Sequence, residues 1–525
     1  MSACKSAGAA TGAPALRGAL AQGASSFVAS GAPEASHGAA PAQAVGPGAA
    51  AVAAVERERQ VLGALLAWCA SRGVRDVSVR PAEFPESGGR GLAVVRALAP
   101  GDVLVAVPED ALMSGASAAR DAGCAAAMRA AADAAGGRAL QPEERLALHV
   151  LCELAKGTTS AWAPYLRSLP ARYDTLAHFS ADCAAELQAS WAVSLARAEA
   201  RRVGLSATRA RPAREHARAA LPERLQSLSA WRWALATVGS RAVYVPFDAA
   251  GALCPLGDLH NYAPPLRAGE VELQQGGTQH FGEGSGDAVF EEGHLVWRAR
   301  RYYSEGEEAL VCYGRYTNLQ LLELYGFVLR DNPHDTYQLG ELSLRALRLR
   351  LPEAHTPLGR VVAELRTEDA RLSVDTDGRP SWELMALLRA AFYDVKDDAS
   401  ADVRAARSAT ARRESAEQRW SEGRVEKSHL AAAERLRAGE PLSDASEARS
   451  SRWLAMAVRS ELRAVPTSAS EDEALLVGEA GRGSDGCLGD RASADRVRLA
   501  IQWRLGWKRA LEATERRAFA VAASA

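Results

Sequence analysis

The sequence predicts an α+β protein, in which a β-rich domain is interrupted by helices and followed by an all-helical C-terminal lobe. Three features lead there. Short apolar runs separated by tight turns follow a first helix. A helical block from Gly115 to about Arg241 divides those runs from a second set of short strands. From Tyr337 onward, apolar residues recur almost wholly at helical spacing. The 525 residues suffice for two or three domains, and 48% hydrophobic with 24% charged residues permits a buried core.

Residues 1–54 are Ala/Gly/Ser/Pro-rich, with Glu34 their one acid and Lys5 and Arg17 their only Lys or Arg residues. Such a composition fits an organelle transit peptide or a disordered low-complexity tail, so a cytoplasmic and a chloroplast location both stay open. Ordered structure is expected from Val55. Val61, Leu62, Leu65, Leu66 and Trp68 share a helix face that Ser71-Arg72-Gly73 terminates. D-V-S-V-R-P reads as a strand, Gly88-Gly89-Arg90-Gly91 as a turn, and L-A-V-V-R-A-L as a second strand. Ala99-Pro100-Gly101-Asp102 turns the chain into a third strand, V-L-V-A-V-P.

Residues 115–241 form a helical insertion in a domain spanning 55–335. Strands return near Val245, near Leu295 and at Ala309–Tyr313, and Gly269 to Gly293 reads as a mobile loop. Leu319–Leu329 closes this domain, and 336–525 is the helical lobe. Polar segments at 400–421 and 478–491 interrupt that lobe. Its last helix carries Trp503 and Trp507 among Arg and Lys residues, a pattern read as tryptophans packed inward with cations snorkelling to solvent.

Composition excludes several function classes. A formal net charge of -1 gives no electrostatic case for nucleic acid. No stretch is long and apolar enough to cross a bilayer. The eight cysteines include no C-x-x-C pair, so no metal cluster is expected and the thiols read as reduced and buried.

Two segments carry chemistry. The first is C-P-L-G-D-L-H-N-Y, Cys254 to Tyr262. The second is G-E-E-A-L-V-C-Y-G-R-Y-T-N-L-Q-L-L-E-L-Y-G-F, Gly306 to Phe327. Together they resemble the signature strips of SET-domain protein methyltransferases, in the branch of the Rubisco large-subunit lysine methyltransferase. The likeness runs in order from Trp68 to Tyr337 through G-R-G-L, W-A-P-Y-L-R-S-L-P, S-R, G-D-L-H-N-Y, C-Y-G and Y-G-F. It continues more weakly into the C-terminal helices. It implies a knotted SET sheet with an inserted helical subdomain, a helical substrate-binding lobe, and S-adenosyl-L-methionine as cofactor.

Methylating a lysine requires removing a proton from an amine of reference pKa about 10.4, which costs on the order of 4 kcal/mol at neutral pH. An aromatic channel, a phenol or carbonyls to orient the amine, and anchors for the charged cofactor are therefore needed. The resemblance assigns these roles. Tyr313 would be the catalytic phenol. Arg90, Gly91 and Leu92 would form the first cofactor loop, acting largely through backbone. Asp258, Asn261 and Tyr262 would hold the cofactor, and Arg241 would pair with its carboxylate. Tyr325 and Phe327 would build the aromatic wall. Tyr262 stands where the family usually has histidine, and His260 reads as structural. The activity the resemblance implies is protein-lysine N-methylation of a non-histone protein substrate, and the chain is expected to act as a monomer. A protein-histidine methyltransferase and a catalytically silent SET-scaffold binder are the alternatives.

Overall fold

The fold is that of a computed structural model, which describes residues 49–87, 89–135, 137, 139–219, 221–265, 288–365, 372–394, 427–479 and 488–524. The chain divides into two compact units. One comprises Met1–His178, Ala198–Tyr316 and Gln320–Phe327, and the other Phe179–Arg197, Thr317–Leu319 and Val328–Ala525. The expected residues 1–48, most of Gly269 to Gly293, and 400–421 lie outside the described residues.

The first unit opens with the helix Ala49–Ser71, which buries Leu65 and Cys69 and ends before Gly73 at φ 79°. Eight short strands follow: β1 (Val79–Phe84), β2 (Gly89–Val94), β3 (Val103–Pro108), β4 (Met113–Ser114), β5 (Ala242–Val245), β6 (Asp248–Leu253), β7 (Ala288–Glu291) and β8 (His294–Arg298). All pairings are antiparallel: β1 with β2, β3-β8-β7, and β4-β6-β5. Leu92, Val94, Leu104, Val107, Leu253, Leu295 and Trp297 point into the core they share.

Helices fill the span between β4 and β5, as the sequence pattern required. Pro142 opens the helix Pro142–Lys156, where its missing N–H costs nothing, and Glu144 reaches back to the Gln141 amide at 3.0 Å. Ser227 caps the helix Leu228–Arg241 through the Ala230 amide at 3.1 Å. Trp231, Ala234, Leu235, Val238 and Arg241 line that helix's buried face, so the last turn delivers Arg241 to the interior.

Four strand-level expectations need correction. The first strand begins at Val79, because Asp76 adopts φ 54° and breaks extended geometry ahead of it. The turn between the first two strands falls at Pro85–Ser87, so Gly89, Arg90 and Gly91 lie within β2. Ala309–Tyr313 is not a strand of one ladder. Its backbone changes partner along its length: Ala309 N donates to Leu92 O at 2.8 Å, then Val311 N to Asn261 O at 2.9 Å. The Gly-rich loop read as reaching Gly293 gives way to β7, which turns through Glu292 and Gly293 into β8.

The second unit is helical but not all-helical. The antiparallel pair β9 (Thr336–Gln338) and β10 (Ser373–Asp375) buries Tyr337 and Val374. Helices Glu341–Arg348, Pro357–Leu365, Trp382–Phe392, Asp444–Ala464, Ala469–Glu479 and Leu488–Ser524 build most of the rest, with a further helix over 427–437, Ala181–Ala185 and the start of Ser190–Arg209. In the helix Leu488–Ser524, Trp503 and Trp507 are buried and stacked at 6.2 Å. Arg509 is exposed as expected, but two of the cations do not snorkel. Arg504 and Lys508 are buried as well, both on Asp472 at 2.7 and 2.6 Å. A buried carboxylate in the facing helix makes internal pairing possible, which removes the reason to reach for solvent.

Among the described residues, no helix is long and apolar enough to cross a membrane, and no cluster of His, Cys, Asp or Glu could hold a metal.

Candidate active site

From Ala250, within β6, through the strip that follows it to Tyr262, the chain is buried throughout. Leu256 takes φ 68°, a conformation β-carbons resist, and a one-turn helix follows at Gly257–Leu259. A Cβ on Gly257 would lie 2.4 Å from the Trp297 ring, so only glycine lets the strip pass. His260 stacks on the same indole at 5.8 Å, and its Nδ1 is 2.9 Å from Gly257 O. Burial pushes the His260 pKa down to about 4, so the ring is neutral and structural, in line with the sequence reading.

Arg241 is 0% and Asp258 1% exposed. Arg241 Nη1 donates to Asp258 O at 2.9 Å and to Asp258 Oδ2 at 3.1 Å, and the Tyr165 hydroxyl donates to the same Oδ2 at 2.7 Å. Burial opposes the guanidinium charge, but Asp258, with Tyr173 and Tyr165, outweighs it and holds Arg241 protonated. The end of the inserted helical block is thus clamped to the strip's backbone by a desolvated ion pair.

Asn261 reaches the other way. Its Nδ2 donates to Arg90 O at 3.2 Å and to Glu308 Oε1 at 2.8 Å. Arg90 sends its guanidinium to Ser168 O at 2.7 Å and to Glu58 at 3.3 Å, leaving its backbone beside Asn261. A Cβ on Gly91 would sit 2.4 Å from Glu308 Oε1 and 2.8 Å from Asn261 Nδ2. That glycine serves close approach, not a turn. Leu92 is fully buried, and its carbonyl pairs with Ala309.

Tyr313 is 1% exposed, and its hydroxyl donates to His260 O at 2.7 Å. Burial raises its pKa well above the ordinary value, so it is a neutral phenol. Its ring lies 5.0 Å from Tyr262 and 5.1 Å from Tyr325, and Phe327 is 6.1 and 6.2 Å from those two. Tyr262 donates to Gly314 O at 2.9 Å. Gly326, at φ 82°, places Tyr325 and Phe327 on either side of a bend whose Cβ would strike the Asp174 backbone at 2.8 Å.

The ten predicted residues therefore fall into three linked groups: Arg90, Gly91, Leu92 and Asn261; Arg241 with Asp258; and Tyr262, Tyr313, Tyr325 and Phe327. Glu308, Ser87 and Tyr165 complete these groups and had no assigned role from sequence. Tyr165 stands inside W-A-P-Y-L-R-S-L-P, and Glu308 is the second glutamate of G-E-E, so both were visible but not interpretable without the fold.

A family profile described as Rubisco LSMT substrate-binding matches residues 360–511. The chain is 30% identical over 452 residues to Protein SET DOMAIN GROUP 40 of Arabidopsis thaliana, covering 80% of each. It is 26% identical over 294 residues to the actin-histidine N-methyltransferase of Xenopus tropicalis, covering 52% of this chain and 44% of that one. It superposes on the SET domain of LSMT solved with lysine and AdoHcy at a TM-score of 0.58 and 16% identity, covering 88% of this chain and 91% of that one. The last likeness is one of fold. The plant relationship runs across most of both sequences, and with it the chain belongs to the SET-domain protein methyltransferase family, in the Rubisco large-subunit methyltransferase-like class.

Proposed function

We propose that this chain is an S-adenosylmethionine-dependent protein-lysine N-methyltransferase acting on a non-histone protein. The observation that carries the reading is Tyr313, a buried neutral phenol fixed to the His260 carbonyl within a cluster of aromatic rings. The residues fit the cofactor on one further ground. Gly91 lacks the β-carbon that would strike Glu308 Oε1 and Asn261 Nδ2, and so lets the asparagine amide lie against the backbone assigned to the first cofactor loop.

Backbone of Arg90–Leu92, with Asn261, Tyr262 and the Asp258 segment, would hold S-adenosylmethionine, and Tyr325 and Phe327 would flank it. When bound, the cofactor supplies a methyl group on a sulfonium. The protein's own contribution is placement and desolvation. Tyr313 commits its proton to His260 O, which leaves its oxygen to accept from an incoming amine. Apolar, ring-lined surroundings lower that amine's pKa, as the reaction demands. The faces of these tilted rings also favour a cationic ligand. We assign Arg241 to holding the Asp258 segment in place, since its Nη1 is engaged there.

Residues 336–525 would recognise the protein substrate, a reading supported by the profile match at 360–511. The knotted SET path is supported by residues 309–311, which hydrogen-bond first to β2 and then, in parallel, to the 261–263 segment.

The test is methyl transfer from radiolabelled S-adenosylmethionine into a lysate of the source cells, with Tyr313→Phe in parallel. A band labelled only by the parent supports the reading, and equal labelling by both proteins would refute the role of Tyr313. A second reading, histidine methylation, is favoured by the actin-histidine relative. Mass spectrometry of the labelled residue decides between methyl-lysine and methyl-histidine.

A further inference from the structure

We propose that Glu308 is a positioning residue for cofactor binding, fixing the Asn261 amide so that its Oδ1 faces the cofactor's α-ammonium group. The inference rests on the methyl-transfer reading and adds to it a residue, Glu308, behind the asparagine already assigned to the cofactor.

The two adjacent glutamates behave differently. Glu307 stays near the surface, 2.6 Å from Arg301 and accepting from the Ser304 amide at 2.9 Å. Glu308 turns inward and is 8% exposed. Its carboxylate accepts from Ser87 Oγ on one oxygen and from Asn261 Nδ2 at 2.8 Å on the other. Its backbone is held by the bridge to Ala93 and by the neighbouring Ala309–Leu92 bond, which sets the Cα from which the side chain reaches Ser87 and Asn261.

An asparagine amide can present either its NH2 or its oxygen to a neighbour. An ionised carboxylate can only accept, so Glu308 dictates that the NH2 faces it. The second hydrogen of that NH2 goes to Arg90 O at 3.2 Å. With both hydrogens committed, Oδ1 is turned away from this node and serves as an acceptor. The methionine end of the cofactor offers an N–H+ donor that such an oxygen suits, and a charge-assisted bond of this kind is stronger than a neutral one. The glutamate charge one bond behind the amide favours the same cation. Gly91 packs this node so closely that a β-carbon would overlap both partners, which leaves no slack for the amide to rotate.

The decisive experiment titrates the full-length chain and Glu308→Gln calorimetrically with two ligands. One is S-adenosylhomocysteine, which carries the ammonium, and the other is 5′-methylthioadenosine, which lacks the whole amino-acid end. The amide introduced by this substitution can offer its own NH2 and so no longer dictates the Asn261 orientation. The expected result is an affinity for S-adenosylhomocysteine about 10- to 100-fold weaker, with affinity for methylthioadenosine unchanged. Equal loss for both ligands would reduce Glu308 to a structural role and overturn the proposal, as would no loss for either. Ser87→Ala removes only the second anchor of the carboxylate. It should give a smaller loss confined to S-adenosylhomocysteine, and it decides the matter should Glu308→Gln fail to fold. A parent protein that binds neither ligand would overturn the methyl-transfer reading itself.

Discussion

Replacing Arg241 by methionine should destabilise the first unit far more than the loss of one surface contact would. Arg241 and Asp258 are both shielded from water, 3.1 Å apart. The same guanidinium nitrogen also satisfies Asp258 O at 2.9 Å. Without the cation, Asp258 keeps only the Tyr165 hydroxyl as a side-chain donor among the bonds described above, and a buried carboxylate is left without its counter-charge. Breaking such a pair from one side costs about 3–5 kcal/mol. In a unit of this size each kcal/mol moves the melting temperature by about 2–4 °C, so a fall of roughly 6–20 °C is expected. The double variant Arg241→Met/Asp258→Leu removes both charges together and should recover much of that loss, because desolvated pairs can be replaced by apolar residues at little net cost. Differential scanning calorimetry on the two single variants, the double variant and the parent reads this out. A drop of under about 2 °C in the single variants, or a double variant no better than the worse single, would refute the claim that the pair locks the strip.

Further outcomes are expected from the same geometry. Tyr313→Phe leaves the His260 carbonyl without its phenol donor, which should cost about 1–3 kcal/mol of stability while reducing methyl transfer and leaving S-adenosylhomocysteine affinity near the parent's, as calorimetry and single-turnover labelling would show. Gly91→Ala should overpack the node at Glu308 and Asn261, costing about 1–3 kcal/mol and weakening cofactor binding by titration. His149 and His260 are both fully buried, and burial pushes each from 6.5 down to about 4. Their contribution is complete above pH 6.5 and is lost as pH falls toward 4, by about 3 kcal/mol each, so urea midpoints of the first unit should drop between pH 7 and pH 5. Asp335 in the second unit runs the other way. Burial raises it from 3.8 to about 6, so its contribution is present below 3.8 and lost as pH rises through 6. A pH-independent midpoint in both units would contradict these assignments.

What the sequence disclosed was local and chemical. Helical spacing announced the block ending near Arg241, and Val103–Pro108 read as a short apolar strand closed by its proline. Long-range pairing was not legible. Gly91 looked like a turn glycine because turns and close approaches both select glycine, and only the position of Glu308 separates the two uses. Ala309–Tyr313 has strand composition, but its partners are supplied by segments far away in sequence, so periodicity could not show that it changes partner midway. Arg504 and Lys508 were read as solvent-seeking, because nothing near them in sequence reveals that Asp472 lies across the interior.

The same contrast explains why the candidate site is rigid before any ligand arrives. From Leu256 to Tyr262 the chain follows a path it would not choose, with a left-handed leucine and a glycine pressed on an indole. The anchors of that path come from three places: the helix ending at Arg241, strand β8 with Trp297, and the 308–314 segment. Arg241 holds Asp258, Trp297 supports His260, Tyr313 grips the His260 carbonyl, Glu308 orients Asn261, and Tyr262 donates to Gly314. Strain of about 1–3 kcal/mol at one residue persists only when its surroundings over-determine it, and five anchors on one short strip do so. Ordering this strip is therefore charged to folding, not to ligand binding. A ligand meets fixed backbone and a fixed amide, and its affinity is not reduced by the entropy of assembling them. It follows that loosening any one anchor should weaken binding even where the anchor never touches the ligand, and that the loss should follow how much the strip moves, not how close the mutated residue lies.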